Sequence, residues 1–299
     1  MKTDSEIQVR LAQAHELRAT RMLLPEISVS VRSRLAFVGL VGFPQSLVGA
    51  AVLVPWPLGA PPGFRLALRV AKPFRGRGLG TALVKAAIDE TRRRQIRGLY
   101  ITPSVLPDSE EAKMWAALGF TSHVSNNHYE TNPRRIVEML TPLCEKMRMR
   151  GWIPDNARVI PLSDAPAREI ARMHAQCLGG TPRGIMGRIL GGGPNRFDPR
   201  LSQVLMIDDR VCGFLLSHLI ESTISYVDAV VVAPDLRLGW ANTLLKLHNA
   251  KQSVACGRKA TRYVAHDVHG DTRSMSARAG ARLIKTMLMP YREVAPLNR

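Results

Sequence analysis

The 299-residue chain carries 42 Lys and Arg against 24 Asp and Glu, a formal net charge of +18, with 45% hydrophobic and 5% aromatic residues. No run approaches the roughly 20 apolar residues that a membrane-spanning helix needs, and Met1 to Glu6 is polar with no apolar segment behind it, so a cytoplasmic protein that does not enter a membrane is expected. The charge is spread rather than gathered into an arm: residues 1–150 hold 22 basic and 12 acidic groups, and residues 151–299 hold 20 and 12. Aromatic residues do not interleave with the basic runs, which argues against a nucleic-acid stacking platform. The four cysteines, Cys144, Cys177, Cys212 and Cys256, form no Cys-x-x-Cys pair, so neither a zinc knuckle nor a disulfide framework is suggested.

In chain order, Ile7 to Arg10 predicts a short strand and Leu11 to Leu24 a helix stopped by Pro25. Arg34 to Val41 and Ser46 to Pro55 predict strands about a Gly42-Phe43-Pro44-Gln45 turn. Trp56 to Gly63 holds three prolines and two glycines and must be a loop. An apolar run, Phe64 to Val70, then leads into Ala71-Lys72-Pro73-Phe74-Arg75-Gly76-Arg77-Gly78-Leu79-Gly80-Thr81 and a helical stripe of Leu79, Ala82, Leu83 and Ala86. The glycines at 76, 78 and 80 let the backbone take positive φ and let a ligand approach the main chain. Their amides lie at the positive end of the following helix, so the loop suits an anion such as a pyrophosphate, with Lys72, Arg75 and Arg77 at its rim.

Thr81 breaks the Gly-x-Gly-x-x-Gly dinucleotide fingerprint, and no Gly-Lys-Ser/Thr follows to make a Walker loop. What the stretch does resemble is the acyl-CoA loop, Arg/Gln-x-x-Gly-x-Gly/Ala, of the GNAT superfamily of N-acetyltransferases. Gly98 to Ile101 as a strand and Ser109 to Phe120 as a short helix ending in Leu118-Gly119-Phe120 are similar to the pieces that follow in that family. The resemblance implies an α/β (α+β) fold with a mixed, mostly antiparallel sheet flanked by helices. It implies acetyl-CoA as co-substrate, held by Leu68, Arg69, Val70, Arg75, Gly76, Arg77, Gly78, Leu79, Gly80, Thr81 and Ser109. An amine would be the acceptor and no metal is called for.

After a strand running to Glu130, Asn132-Pro133 and again Thr141-Pro142 carry the signature of an N-cap followed by proline, which predicts a two-piece helical connector ended by Gly151. From Ala157 the same order of elements begins again, the mark of an internal repeat. Arg158 to Leu162 predicts a strand and Asp164 to Cys177 a helix, and Thr181 to Arg200 is a glycine-rich stretch. Leu201 to Ile207, Val211 to Leu219 and Ile224 to Val232 predict three further strands. Val232-Ala233-Pro234-Asp235-Leu236-Arg237 is similar to the entry of the same loop. Aligned on Arg75 and Arg237, Trp240 stands where Gly78 does and Asn242 where Gly80 does, a degenerate copy. The expected division is residues 1–131, a GNAT-like domain with the acyl-CoA loop; 132–156, the connector; and 157–299, a second GNAT-like domain.

Catalytic residues are less legible. Phe64 to Val70 contains no acid, whereas Asp228 occupies the corresponding strand of the second copy and is a candidate base. Trp115 stands where relatives often place a tyrosine acid, so either another group such as Tyr129 protonates the thiolate or it leaves as an anion. His266-Asp267-Val268-His269-Gly270-Asp271 is read as a polar loop, since no third histidine or cysteine lies at structural-zinc spacing. The expected activity is transfer of an acetyl group from acetyl-CoA to a primary amine. The alternatives are a noncatalytic CoA-binding or interaction module and, behind it, a nucleic-acid binder; a homodimer is left open.

Overall fold

The computed structural model describes residues 7–24, 35–42, 45–56, 61–179, 181–193, 195–236, 239–266 and 270–294. The chain forms two compact units, Met1–Val124 together with Leu288–Arg299, and Ser125–Met287.

In the first unit β1 (Ile7–Leu11), β2 (Ala36–Val41), β3 (Ser46–Trp56) and β4 (Gly63–Val70) form an antiparallel meander, and β5 (Gly98–Ile101) joins β4 in parallel. The strands alternate as a two-faced sheet requires. On one face Phe37, Ala51, Leu53, Phe64 and Leu66 pack under α2 (Leu79–Arg93) and α3 (Glu110–Ala117), through Leu79, Leu83, Val84, Ala87 and Trp115. On the other, Ala36, Val38, Ala50, Val52 and Ala67 meet Leu24 and the half-buried Leu17 and Leu23 of α1 (Leu17–Leu23). The small side chains on that second face let a single short helix cover it.

α1 is shorter than the Leu11 to Leu24 pattern predicts. Leu11 ends β1 and a 3-10 turn, Ala14–Glu16, precedes the helix. Glu16 explains the delay: its carboxylate accepts from the Gln13 amide at 2.7 Å and from both terminal nitrogens of Arg10 at 2.8 Å, which ties the chain to β1 before the helix can start.

The second unit repeats the order. β7 (Ala157–Pro161), β8 (Gln203–Ile207), β9 (Arg210–Glu221) and β10 (Ile224–Val232) are antiparallel neighbours, and β11 (Ala260–His266) joins β10 in parallel. α5 (Ala167–Leu178) and α6 (Pro182–Leu190) cover one face through Ile170, Ala171, Ile185 and Ile189. α4 (Pro133–Met149) packs with α7 (Trp240–Ala255) in another core, through Ile136, Leu140, Cys144, Leu244 and Leu247. α4 is one helix rather than the two pieces the sequence suggests. It runs through Pro142, and Thr141 caps nothing; its hydroxyl is buried without a partner among the described residues. α6 was hidden by Gly184, Gly187 and the triple glycine after it, yet its start follows the usual rule. Thr181 Oγ1 accepts from the Gly184 amide at 3.2 Å, and Pro182 takes the first turn.

The linear division into 1–131, 132–156 and 157–299 does not follow the compact units. The connector helix belongs to the second unit, and each unit takes in a strand from the other half of the sequence. In the first unit Tyr291, Arg292 and Glu293, the end of β12 (Arg282–Glu293), pair antiparallel with Tyr100, Leu99 and Gly98 of β5. In the second, Asn126 to Thr131 of β6 (Thr121–Thr131) pair antiparallel with His266 to Thr261 of β11. β12 carries Pro290, which obscured it as a strand, because a proline cannot donate to a ladder. α8 (Gly270–Arg278), before it, likewise left no clear apolar stripe. Among the described residues no helix is long and apolar enough to cross a membrane.

Candidate functional site

The site begins where β4 and β5 part. Their parallel pairing covers Gly63 to Leu66 against Gly98 to Ile101, and the last contact is the Thr102 amide donating to the Leu66 carbonyl at 2.9 Å. Beyond it β5 has ended, while β4 continues to Val70. Since Leu66 points its carbonyl toward β5, the two-residue period turns the backbone groups of Leu68 and Val70 to the same side. Leu68 is half-buried and Arg69 exposed, so this stretch of β4 is an open edge that can pair with an extended amide-bearing chain.

The loop is built on that edge. Lys72–Phe74 forms a 3-10 turn, and Arg75 folds back so that its Nε donates to the Val70 carbonyl at 3.0 Å. Arg75 is thus a strut that ties the loop to the strand end, not only a rim cation. Arg77 lies over the Phe74 ring at 5.6 Å. Gly76 has φ +74° and Gly78, which caps α2, has φ +83°. A Cβ at either position would meet nothing within 4 Å, so these glycines are required by backbone conformation and the space above them is open. The first turn of α2 closes with the Ala82 amide on the Gly78 carbonyl at 3.0 Å, and among the described residues the amides from Gly76 to Thr81 have no backbone acceptor. Free amides, a helix start and an open space are what a pyrophosphate needs, so these residues fit CoA.

What fixes the height of α2 is a feature the sequence reading passed over. Gly39 of β2 and Gly49 of β3 stand opposite each other in the ladder, and Leu79, the first residue of α2, sits in the trough between them. A Cβ on Gly39 would come within 2.6 Å of Leu79 Cδ1, and one on Gly49 within 3.1 Å of Leu79 Cδ2. Leu79 is 1% exposed. The signal was available as glycines inside two otherwise apolar strands, where close approach of another element is the usual cause.

The remaining predicted residues lie elsewhere. Ser109 is the N-cap of α3: its Oγ accepts from the Ala112 amide at 3.1 Å and donates to the Leu106 carbonyl at 2.7 Å, so the hydroxyl is occupied by capping. Trp115 is a core residue, 3% exposed and edge-on to Phe120 at 5.2 Å between ring centres. Tyr129 is in the second unit, stacked on Tyr263 at 5.8 Å. Asp228 is there too, at the bulge where the register of β10 shifts between Val227 and Ala229. Its Oδ2 accepts from Arg188 Nη1 at 2.8 Å and its Oδ1 lies 3.8 Å from His218 Nδ1. Burial pushes His218 and His174 down from the usual histidine value, and the close partner of Asp228 is Arg188. Bulges re-aim side chains, and neither Arg188 nor His218 was legible as a partner from sequence spacing. The structure therefore brings the predicted loop residues together in the first unit and leaves both catalytic candidates in the second. The side chains of the 266–271 run are outside the described residues, as are Arg237 and Leu238.

In the second copy the loop reads differently from the sequence alignment. Gly239, with φ +106°, precedes α7, which starts at Trp240. By helix starts Gly239 therefore stands with Gly78, Trp240 with Leu79, and Ala241 with Gly80, because the second loop is one residue shorter. Trp240 is partly buried against the α4–α7 core rather than standing at the capping position. The run Arg92-Arg93-Arg94 at the end of α2 is tied down as well: Arg93 and Arg94 reach Glu90 at 2.7 and 2.6 Å, and Arg92 reaches Asp89 at 2.9 Å.

Residues 13–120 match the model of the acetyltransferase (GNAT) family. No curated protein matches the sequence. Among solved structures, the chain is similar to a tandem GNAT protein from the clavulanic acid biosynthesis pathway, at 15% identity and TM-score 0.51 over 98% of this chain and 100% of that one. It is also similar to GCN5-related N-acetyltransferases from Kribbella flavida and Anabaena variabilis, each at 13% identity and TM-score 0.60 over 97% of this chain, and over 72% and 73% of theirs. At such identities these likenesses speak for the fold of both units.

Proposed function

The first half of the chain belongs to the GNAT acetyltransferase family, and from that premise we propose that the protein moves an acetyl group from acetyl-CoA to a primary amine. The observation that carries this reading is the open β4 edge running into an unpaired amide loop at the start of α2. Leu68 and Val70 would pair with the pantetheine amides, and the amides of Gly76 to Thr81 would hold the diphosphate. Arg69 and Arg77 are placed to add positive charge. Bound acetyl-CoA supplies an activated acyl carbon. The chain's part is to hold it in line with the amine, which replaces an improbable encounter by a positioned one.

The amine must lose a proton and the thiolate must gain one or leave as an anion, which a thiol of pKa about 8.5 can do. β4 offers no carboxylate and Trp115 no acid, so the loop residues act by binding and orientation. A thiol-release assay with acetyl-CoA over a panel of amines, peptides and aminoglycosides tests the reading. Release that requires both substrates is the expected result. Binding of acetyl-CoA with no release for any amine identifies a noncatalytic CoA module, the second reading, which the missing acid on β4 favours.

A further inference from the structure

Arg65 lies on β4 beside this edge, opposite Val54 on β3 and Tyr100 on β5, and its side chain is on the face away from α2. It is half-buried, and its guanidinium is stacked 3.7 Å above the Trp56 ring. Yet its Nε is buried with no hydrogen-bond partner, and no ion pair compensates it among the described residues. Burial alone holds its pKa down to about 10. The indole Nε1 of Trp56, the residue it stacks on, is a second buried donor without an acceptor. Two adjacent donors in this state are destabilising, since a buried donor without an acceptor keeps its whole desolvation penalty, the more so when charged. Nearby, the Tyr100 and Tyr291 rings pack at a tilt of 44° with centres 4.8 Å apart, and Tyr100 Oη donates to the Pro61 carbonyl at 2.7 Å.

We propose that Arg65 and Trp56 form a carboxylate-recognition site, and that the amine accepted by this protein carries a carboxylate. A carboxylate has two oxygens and accepts from a guanidinium and an indole N–H together, which answers both orphaned donors at once. Arg65 is three residues before Leu68 on the same strand, roughly 10 Å along it. An acceptor anchored there by its carboxylate extends its amine toward the open edge of β4, where Leu68 would pair with the pantetheine of the donor. The assignment of an acceptor rests on the transferase reading, whereas the anion site does not.

The experiment has two arms. In the first, thermal unfolding is followed with glutarate and with its neutral counterpart glutaramide. Glutarate raises the melting temperature of the wild type and glutaramide does not. Arg65→Met removes the response while leaving the unliganded protein as stable as the wild type or more so, because an uncompensated buried charge has gone. Trp56→Phe, which keeps the ring for stacking and removes the indole donor, weakens the response. In the second arm, thiol release from acetyl-CoA is compared for γ-aminobutyrate and its amide. The wild type prefers the carboxylate by on the order of 100-fold in kcat/KM. Arg65→Gln brings the ratio near one and keeps the stabilisation given by acetyl-CoA. A glutarate response that depends on Arg65, with no turnover of any amine, upholds the anion site and removes the transferase reading. No glutarate response in the wild type, or turnover indifferent to the carboxylate, overturns the inference.

Discussion

Gly78→Trp will abolish the rise in melting temperature that acetyl-CoA gives the wild-type protein. At about 100 times its dissociation constant a ligand that binds only the folded state adds about 2.7 kcal/mol, so the wild-type response is easily measured. The glycine sits at φ +83° with open space beyond its missing side chain. An indole there meets two obstacles. The left-handed conformation costs roughly 1–2 kcal/mol for a residue with a Cβ, which lowers the unliganded melting temperature modestly. The side chain also occupies the volume into which the loop amides point, and this is the larger effect, because binding is lost rather than weakened. Gly76→Ala, at φ +74°, shares the strain but adds only a methyl group; it separates strain from blockage and should retain part of the response. If the tryptophan variant responds as the wild type does, the diphosphate is not held by this loop.

Removing residues 288–299 will unfold the first unit and spare the second. The last strand brings Met289, Tyr291 and Val294 into the first unit, at 5%, 8% and 2% exposure. Leu288 exchanges two hydrogen bonds with Val105, at 2.8 and 2.7 Å, and the Val294 amide donates to the Arg97 carbonyl at 2.8 Å. Burying one large apolar side chain is worth about 1.5–3 kcal/mol, so three amount to roughly 5–9 kcal/mol. That matches the whole stability of an ordinary domain, about 5–15 kcal/mol. Deletion also leaves the β5 edge without its partner. Hydrogen exchange resolves the outcome by residue: amides in β2, β3 and β4 lose protection, while those of β8, β9 and β10 keep it. Protection retained in both sets would show that the strand is dispensable to the first sheet.

How much of this was legible in the residues depends on the range of the interactions. The loop from Val70 to Thr81 was readable because its glycines answer a local demand, positive φ, that no other residue meets as well. β5 was readable because it is an unbroken apolar run, and β10 because apolar residues dominate it around Ser225 and Asp228. β12 was not, since Pro290 masks it and its partner, β5, lies more than 190 positions earlier. Nothing local marks a strand whose pairing is that distant. The same holds within the site. Asp228 could be picked out as an acid on a strand, but its ion pair with Arg188 spans 40 residues and crosses from a helix hidden among glycines. Arg65 gave no signal, because its oddity is a missing partner, visible only after every neighbour has been placed. The seat of Leu79 between Gly39 and Gly49 falls between these cases: the glycines were visible, and what they made room for was not.

The strand that completes the first sheet also sets an order of events during synthesis. A ribosome must add the whole of the second unit, about 160 residues, before that strand exists, and at 5–20 residues per second this takes roughly ten to thirty seconds. Through that interval the N-terminal half waits with one sheet edge bare, so the half made first is the half that folds last. A nascent chain stalled just short of Leu288 should therefore remain open to protease in its first 124 residues, and one released at full length should not.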